Sequence, residues 1–114
     1  MIQKIKSRSD FIKLQKTGKS FVTPGFVVQA GLNLEENKDK RFGFTATRKI
    51  GGAVKRNRAK RRLKELINKN TIQRFNFGMD YVLIARKASL DRDFQDLQQD
   101  LNSAINFFQT NQNL

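Results

Sequence analysis

The chain has 114 residues, the size of one domain, and is read as a single domain over residues 1–114. Its 23 Lys and Arg against 10 Asp and Glu leave a net charge of +13, an excess that an anionic partner ordinarily neutralises. The absence of Cys and His removes disulfides, thiolate and imidazole metal sites, cysteine nucleophiles and the commonest general base, and with them most hydrolase and metalloenzyme chemistries.

In chain order, the opening MIQKIKSRSDF has charge but no apolar core region, so it does not read as a secretory signal. No run approaches the ~18 apolar residues of a membrane span, and a soluble cytoplasmic protein is expected. Ser9-Asp10 predicts a helix start, with Ser9 as cap, and the helix carries Phe11, Ile12 and Leu14 up to a stop at Gly18. Ser20–Thr23, the turn Pro24-Gly25 and the β-rich run Phe26–Leu32 follow. Glu35–Lys40 reads as a polar loop. Arg41–Arg48 alternates as a one-sided strand, with Phe42, Phe44 and Ala46 on one face and Arg41, Gly43, Thr45 and Thr47 on the other.

After Gly51-Gly52, a helix is predicted from about Ala53 to Lys69, its apolar stripe formed by Ala59, Leu63, Leu66 and Ile67. A loop near Asn76–Asp80 leads to Tyr81–Ala85, a solid apolar run that reads as an interior strand. Ser89 or Asp91 then caps a final helix with the stripe Phe94, Leu97, Leu101, Ala104, Ile105 and Phe108. Residues 109–114 form a polar, frayed tail. The predicted architecture is α+β, a two-layer αβββαβα sandwich of helices on a small sheet.

The charge is concentrated. Residues 40–64 hold eleven basic side chains and no acid, whereas a solvated surface helix usually mixes signs for i,i+4 pairing. On a helical projection Asn57, Lys60, Arg61 and Lys64 share the face opposite Leu63 and Leu66, Arg58 and Arg62 share a flank, and Arg56 lies near the apolar border, aimed at the neighbouring strand. Arg forks match phosphate oxygens, Lys acts as a point charge, and Asn suits a base edge or a 2′-OH. Charge alone does not separate RNA from DNA, or a specific interface from a solvated cationic face. A helix-turn-helix reading lacks its preceding short helix, because a strand and Gly51-Gly52 stand there instead, so duplex DNA is not an expected partner.

The residues Arg48-Lys49-Ile50-Gly51-Gly52-Ala53-Val54-Lys55-Arg56-Asn57-Arg58-Ala59-Lys60-Arg61 closely resemble the signature of the bacterial ribonuclease P protein subunit. Ser9-Asp10-Phe11 and Asp80-Tyr81-Val82-Leu83-Ile84-Ala85-Arg86-Lys87 resemble the same family at the expected distances, so the likeness spans most of residues 9–88. It implies an accessory subunit of a ribonucleoprotein endoribonuclease, whose catalytic RNA uses Mg²⁺ to remove the 5′ leader of precursor tRNA. The implied partners are that RNA and precursor tRNA, with no membrane, no catalytic residue on the protein, and no cofactor or metal of its own. The implied contacts to the catalytic RNA are Arg56, Asn57, Arg58, Lys60, Arg61 and Lys64. Those bordering a cleft for the leader are Phe11, Thr45, Thr47, Arg48, Lys49, Arg86 and Lys87.

The resemblance also implies a ribosomal-protein-like domain with a left-handed βαβ crossover, against the general right-handed rule. Two positions depart from the family pattern. Gln15 stands where many members have a second aromatic one helical turn after Phe11, and Lys64 stands where Arg is common. Other readings remain beside these. Phe11 can be plain core packing next to Leu14, and Arg86 and Lys87 can be ordinary strand-end solvation. Asp91, Asp93, Asp96 and Asp100 suit a helix start and its solvent face better than a nuclease centre. A structural RNA-binding protein of ribosomal type is the alternative function.

Overall fold

A computed structural model describes residues 4–5, 8–32, 40–76 and 78–110. Helix α1 (Arg8–Thr17) leads into strands β1 (Lys19–Val22), β2 (Phe26–Leu32) and β3 (Arg41–Ala46). A 3₁₀ turn (Arg48–Ile50) precedes α2 (Ala53–Leu66) and the single turn α3 (Lys69–Ile72). Strand β4 (Met79–Ala85), the short α4 (Ala88–Asp91) and the long α5 (Phe94–Thr110) complete the chain. The sheet order is β1-β2-β4-β3, antiparallel except that β3 and β4 run parallel, joined by α2 and α3. The predicted α+β class and element order hold, with α3 and α4 as additions.

Strand β4 lies inside the sheet between β2 and β3, which is why its sequence is apolar without alternation. Its Met79, Tyr81, Leu83 and Ala85 join Phe26, Val28, Ala30 and Phe42 beneath Leu63 and Leu66 of α2 and Leu97, Leu101, Ala104, Ile105 and Phe108 of α5. Aromatic pairs among the described residues run through this layer, from Phe42–Phe75 (ring centroids 5.0 Å) and Phe75–Tyr81 (4.8 Å) to Phe107–Phe108 (5.1 Å) and Phe21–Phe107 (4.7 Å). Such pairs add about 0.5–1.5 kcal/mol each beyond the area they bury.

The sheet's second face carries a smaller cluster in which Phe11 and Leu14 of α1 meet Ile5, Val82 and Ile84. Helix α1 lies close because the strands beneath it are notched by glycine. A Cβ on Gly31 would stand 2.6 Å from Leu14 Cδ1, and one on Gly43 would stand 2.6 Å from Phe11 Cζ. Under the same helix, Arg41 clamps Asp80 with two bonds of 2.8 and 2.7 Å and reaches Asp10 at 3.4 Å. The sandwich therefore has a third, partial layer.

Several boundaries differ from expectation. Helix α1 already includes Arg8, so Ser9 sits in the first turn rather than before it. Strand β3 stops at Ala46, and Arg48 belongs to the 3₁₀ turn, which leaves the sheet after the Thr47 N–H bonds the Ala85 carbonyl. Helix α2 ends at Leu66 instead of Lys69. Asn68 interrupts it, its side chain accepting from the Asn70 and Thr71 N–H groups while Thr71 Oγ1 accepts from the Asn68 N–H. Strand β4 begins at Met79, inside the expected loop, because Asp80 pairs with Arg41. Helix α5 extends through Gln109 and Thr110 of the expected tail, held by Gln109 Nε2 donating to the Arg74 carbonyl (2.8 Å); residues 111–114 lie outside those described. The expected loop Glu35–Lys40 also lies outside them, apart from Lys40, a buried side chain that donates to the Phe75 carbonyl.

Candidate nucleic-acid interface

The strand register lays out the second face in rows. Gly31, Asp80 and Arg41 form one row and Gln29, Val82 and Gly43 the next, both under α1. The following row, Val22, Val27, Ile84 and Thr45, is only partly covered, with Val22 63% exposed. Beyond it lie Thr47 and Arg86, both half-buried, then the exposed Arg48, Lys49 and Lys87. Phe11 forms the α1 side of this opening, its ring seated on Gly43 and half-buried. Phe11, Thr45, Thr47 and Arg86 thus lie around one half-face, and Arg48, Lys49 and Lys87 are exposed just past the ends of its strands. The Arg86 guanidinium turns toward the β1–β2 turn, donating to the carbonyls of Thr23 and Pro24.

Strand β3 is the sheet edge, and α2 packs beside it with its apolar stripe on the opposite, core face. Between them lies a concave cleft of about 280 Å³ lined by Thr45, Ala46, Ala53, Arg56, Asn57 and Lys60. Arg56, half-buried, lines this cleft from the helix as Thr45 and Ala46 do from the strand. Arg58 and Arg61 are exposed beside the cleft. Lys64, also exposed, holds its ammonium 6.0 Å from the Phe44 ring centroid. Gly52, which caps α2, makes no side-chain cap bond, and the first turn has no acid, so nothing on the side chains competes with an anion there. Thr45 lies on both the open row and this cleft, so the two meet at β3.

Not every basic side chain of the run faces outward. Lys40 bonds the Phe75 carbonyl, Arg41 pairs with Asp80 and Asp10, and Arg62 donates to the carbonyls of Ser89 (2.7 Å) and Leu90 (3.0 Å). The sequence did not single out Val22, Val27 or Ile84. Alternation along each strand places Val27 and Ile84 off the core face, but their alignment into a row depends on a register that no local pattern contains.

Carboxylates are the only strong metal donors in the composition, and among the described residues no three of them stand together so as to hold an ion. Both oxygens of Asp100 are engaged by Arg92, at 2.7 and 3.1 Å, and this pairing raises the Arg92 pKa further. Among the described residues no helix is long and apolar enough to cross a membrane.

Residues 2–109 match the Ribonuclease P family. The Ribonuclease P protein component of Paramagnetospirillum magneticum is 36% identical over 108 residues, covering 91% of this chain and 80% of that protein. Among solved structures, the RNase P protein from Thermotoga maritima is 32% identical with a TM-score of 0.75, covering 90% of this chain and 94% of its own. A Staphylococcus aureus RNase P protein mutant with defective mRNA degradation activity is 30% identical with a TM-score of 0.77, covering 93% of this chain and 87% of its own. The ribosomal-type alternative is not favoured by these relationships. The chain belongs to the family of ribonuclease P protein components, the accessory protein subunits of an endoribonuclease that processes the 5′ leader of tRNA precursors.

Proposed function

We propose that this chain, in the bacterial cytoplasm, binds the catalytic RNA of ribonuclease P through α2 and the 5′ leader of precursor tRNA across the open half of the sheet's second face. The observation that carries the reading is the meeting of the two surfaces at Thr45 on edge strand β3, with the cationic cleft on one side and the open row on the other. One rigid protein bridging two RNA segments converts the second contact into an intramolecular one, which tightens binding of leader-bearing substrate without any group on the protein attacking the phosphodiester.

The roles follow from the side chains. Arg56, Arg58 and Arg61 offer planar forks to phosphate oxygens, and Lys60 and Lys64 add point charge. Asn57, exposed on the same helix, suits a base edge or a 2′-OH. In the leader opening, the exposed part of Phe11 is a stacking platform, worth about 1–3 kcal/mol per base for an aromatic in such a groove. Thr45 and Thr47 supply hydroxyls, and Arg48, Lys49 and Lys87 supply charge along the rim. Gln15 in place of a second aromatic leaves the stacking to Phe11 alone. Magnesium belongs to the RNA component.

The test is cleavage of a leader-bearing precursor tRNA by a bacterial ribonuclease P RNA at low Mg²⁺, with and without the protein. RNA alone is expected to be nearly inactive, protein alone inactive, and the mixture to release mature 5′ ends. A well-folded protein that fails to activate several such RNAs would sink the reading and bring forward a structural RNA binder.

A further inference from the structure

Arg62 belongs by sequence to the basic run of α2 but not by direction. It is half-buried, and its Nη1 donates to two successive carbonyls of α4, those of Ser89 and Leu90. The path continues from there. The Arg86 N–H donates to Ser89 Oγ at 3.0 Å, and that hydroxyl, fully buried, donates to the Gly25 carbonyl at 2.6 Å. Arg86 itself reaches back to the carbonyls of Thr23 and Pro24 in the same turn. A continuous line of hydrogen bonds thus runs from the basic helix through α4 to the β1–β2 turn, which carries Val22 and Val27 of the open row.

We infer that Arg62 is a positioning residue: it contacts no RNA and holds the cationic face of α2 in register with the open half-face of the sheet. The inference rests on the proposed division of those surfaces between the catalytic RNA and the leader. Its physical basis is that simultaneous engagement of two RNA segments depends on the geometry between their binding surfaces, whereas binding of either segment alone does not. The guanidinium suits the task because one planar group places N–H donors on two neighbouring carbonyls, fixing an orientation as well as a distance.

The experiment uses the full chain assembled with a ribonuclease P RNA, and variants Arg62→Gln, Arg62→Lys, Ser89→Ala and Arg61→Gln. Two quantities are read at a temperature where circular dichroism shows each variant folded. The first is the salt dependence of affinity for the catalytic RNA. The second is the preference of the holoenzyme for precursor tRNA with a long leader over one whose leader is cut to a single nucleotide. Arg62→Gln and Ser89→Ala are expected to leave the salt slope unchanged while cutting the leader preference about tenfold, within the roughly hundredfold cost of an ångström-scale misplacement. Arg62→Lys, which keeps a donor for the carbonyls, is expected to recover part of the preference. Arg61→Gln, the phosphate-facing control, is expected to lower the slope by about 1.

A slope lowered by about 1 in Arg62→Gln would make Arg62 a phosphate contact and overturn the inference. An intact leader preference in folded Arg62→Gln or Ser89→Ala would reduce the network to a structural brace and overturn it too. If Arg62→Gln does not fold, Ser89→Ala decides the outcome, since it breaks the same line without changing charge. A wild-type holoenzyme with no leader preference would instead bring down the functional reading on which the inference stands, an outcome separate from either failure above.

Discussion

Gly43 shows how one absent side chain serves the candidate site. The Phe11 ring occupies the space where a Cβ would stand, 2.6 Å from Cζ and 2.7 Å from Cε1, and so α1 can lie against the sheet with its aromatic at the edge of the opening. Gly43→Ala is expected to destabilise the fold by about 1–3 kcal/mol in urea unfolding, because the ring must leave its place. Combined with Phe11→Ala, the same change should cost much less than the sum of the singles, and strict additivity in the double-mutant cycle would disprove the contact. Arg58 and Arg61 illustrate the opposite case, exposed side chains with no hydrogen bond or ion pair assigned to them among the described residues. Replacing both with Ala should lower the slope of log affinity against log salt by about 2 while changing unfolding free energy by less than about 0.5 kcal/mol. Unaltered assembly with the catalytic RNA would remove α2 from the contact surface.

At the scale of the element, α2 is set by signals at its two ends. Gly51, at φ 132°, turns the chain out of the 3₁₀ turn into the helix, a backbone conformation that favours glycine. At the other end, Asn68 and Thr71 exchange capping bonds, and Thr71 Oγ1 also donates to the Leu66 carbonyl at 2.7 Å, so the helix closes at Leu66, three residues before the expected end at Lys69. Periodicity extends across Ile67 because that residue is still buried, and only the reciprocal bonds reveal the break. Asn68→Ala is expected to cost about 1 kcal/mol in thermal or urea unfolding through the lost cap, and a change near zero would show the bonds to be incidental. The apolar run Tyr81–Ala85 was legible as an interior strand for a simpler reason: a strand covered on both faces has no solvent side to keep polar.

Over the whole molecule, charge divides between two helices packed side by side on the core face of the sheet. The remaining cations of the 40–64 run gather around α2 and the 3₁₀ turn, whereas the outward positions of α5 are the neutral Gln95, Gln98, Gln99, Asn102, Ser103 and Asn106. With roughly 6–10 phosphates engaged, affinity for the catalytic RNA should fall by ~10³–10⁵ between about 50 and 200 mM monovalent salt, and a flat response would exclude the basic surface as the interface. Alkaline stability depends on the core that these helices cover. Burial pushes the Tyr81 phenol above its usual value near 10, partly offset by the hydrogen bond that its oxygen accepts from the Asn76 N–H. Because the folded state holds the proton more tightly, the stabilisation is full below about pH 10 and lost as pH rises through the folded pKa. The chain has a single Tyr, so tyrosinate absorbance should rise together with base-induced unfolding. Titration at or below pH 10 with the fold intact would contradict the burial.

The sequence by itself determined the element order, the face of α2 that carries the cations, and, through the Arg48–Arg61 motif, the family. These are properties of local spacing: side chains one helical turn apart share a face wherever the helix lies. Tertiary structure alone decided which cations are available to a partner, since the withdrawal of Lys40, Arg41 and Arg62 depends on carbonyls and carboxylates 27 to 39 residues away. It also decided the open row of Val22, Val27, Ile84 and Thr45, and the cleft that joins Thr45 to Arg56, Asn57 and Lys60. Strand register and the approach of α2 to β3 are set by long-range packing, and no local window of sequence contains the partner strand.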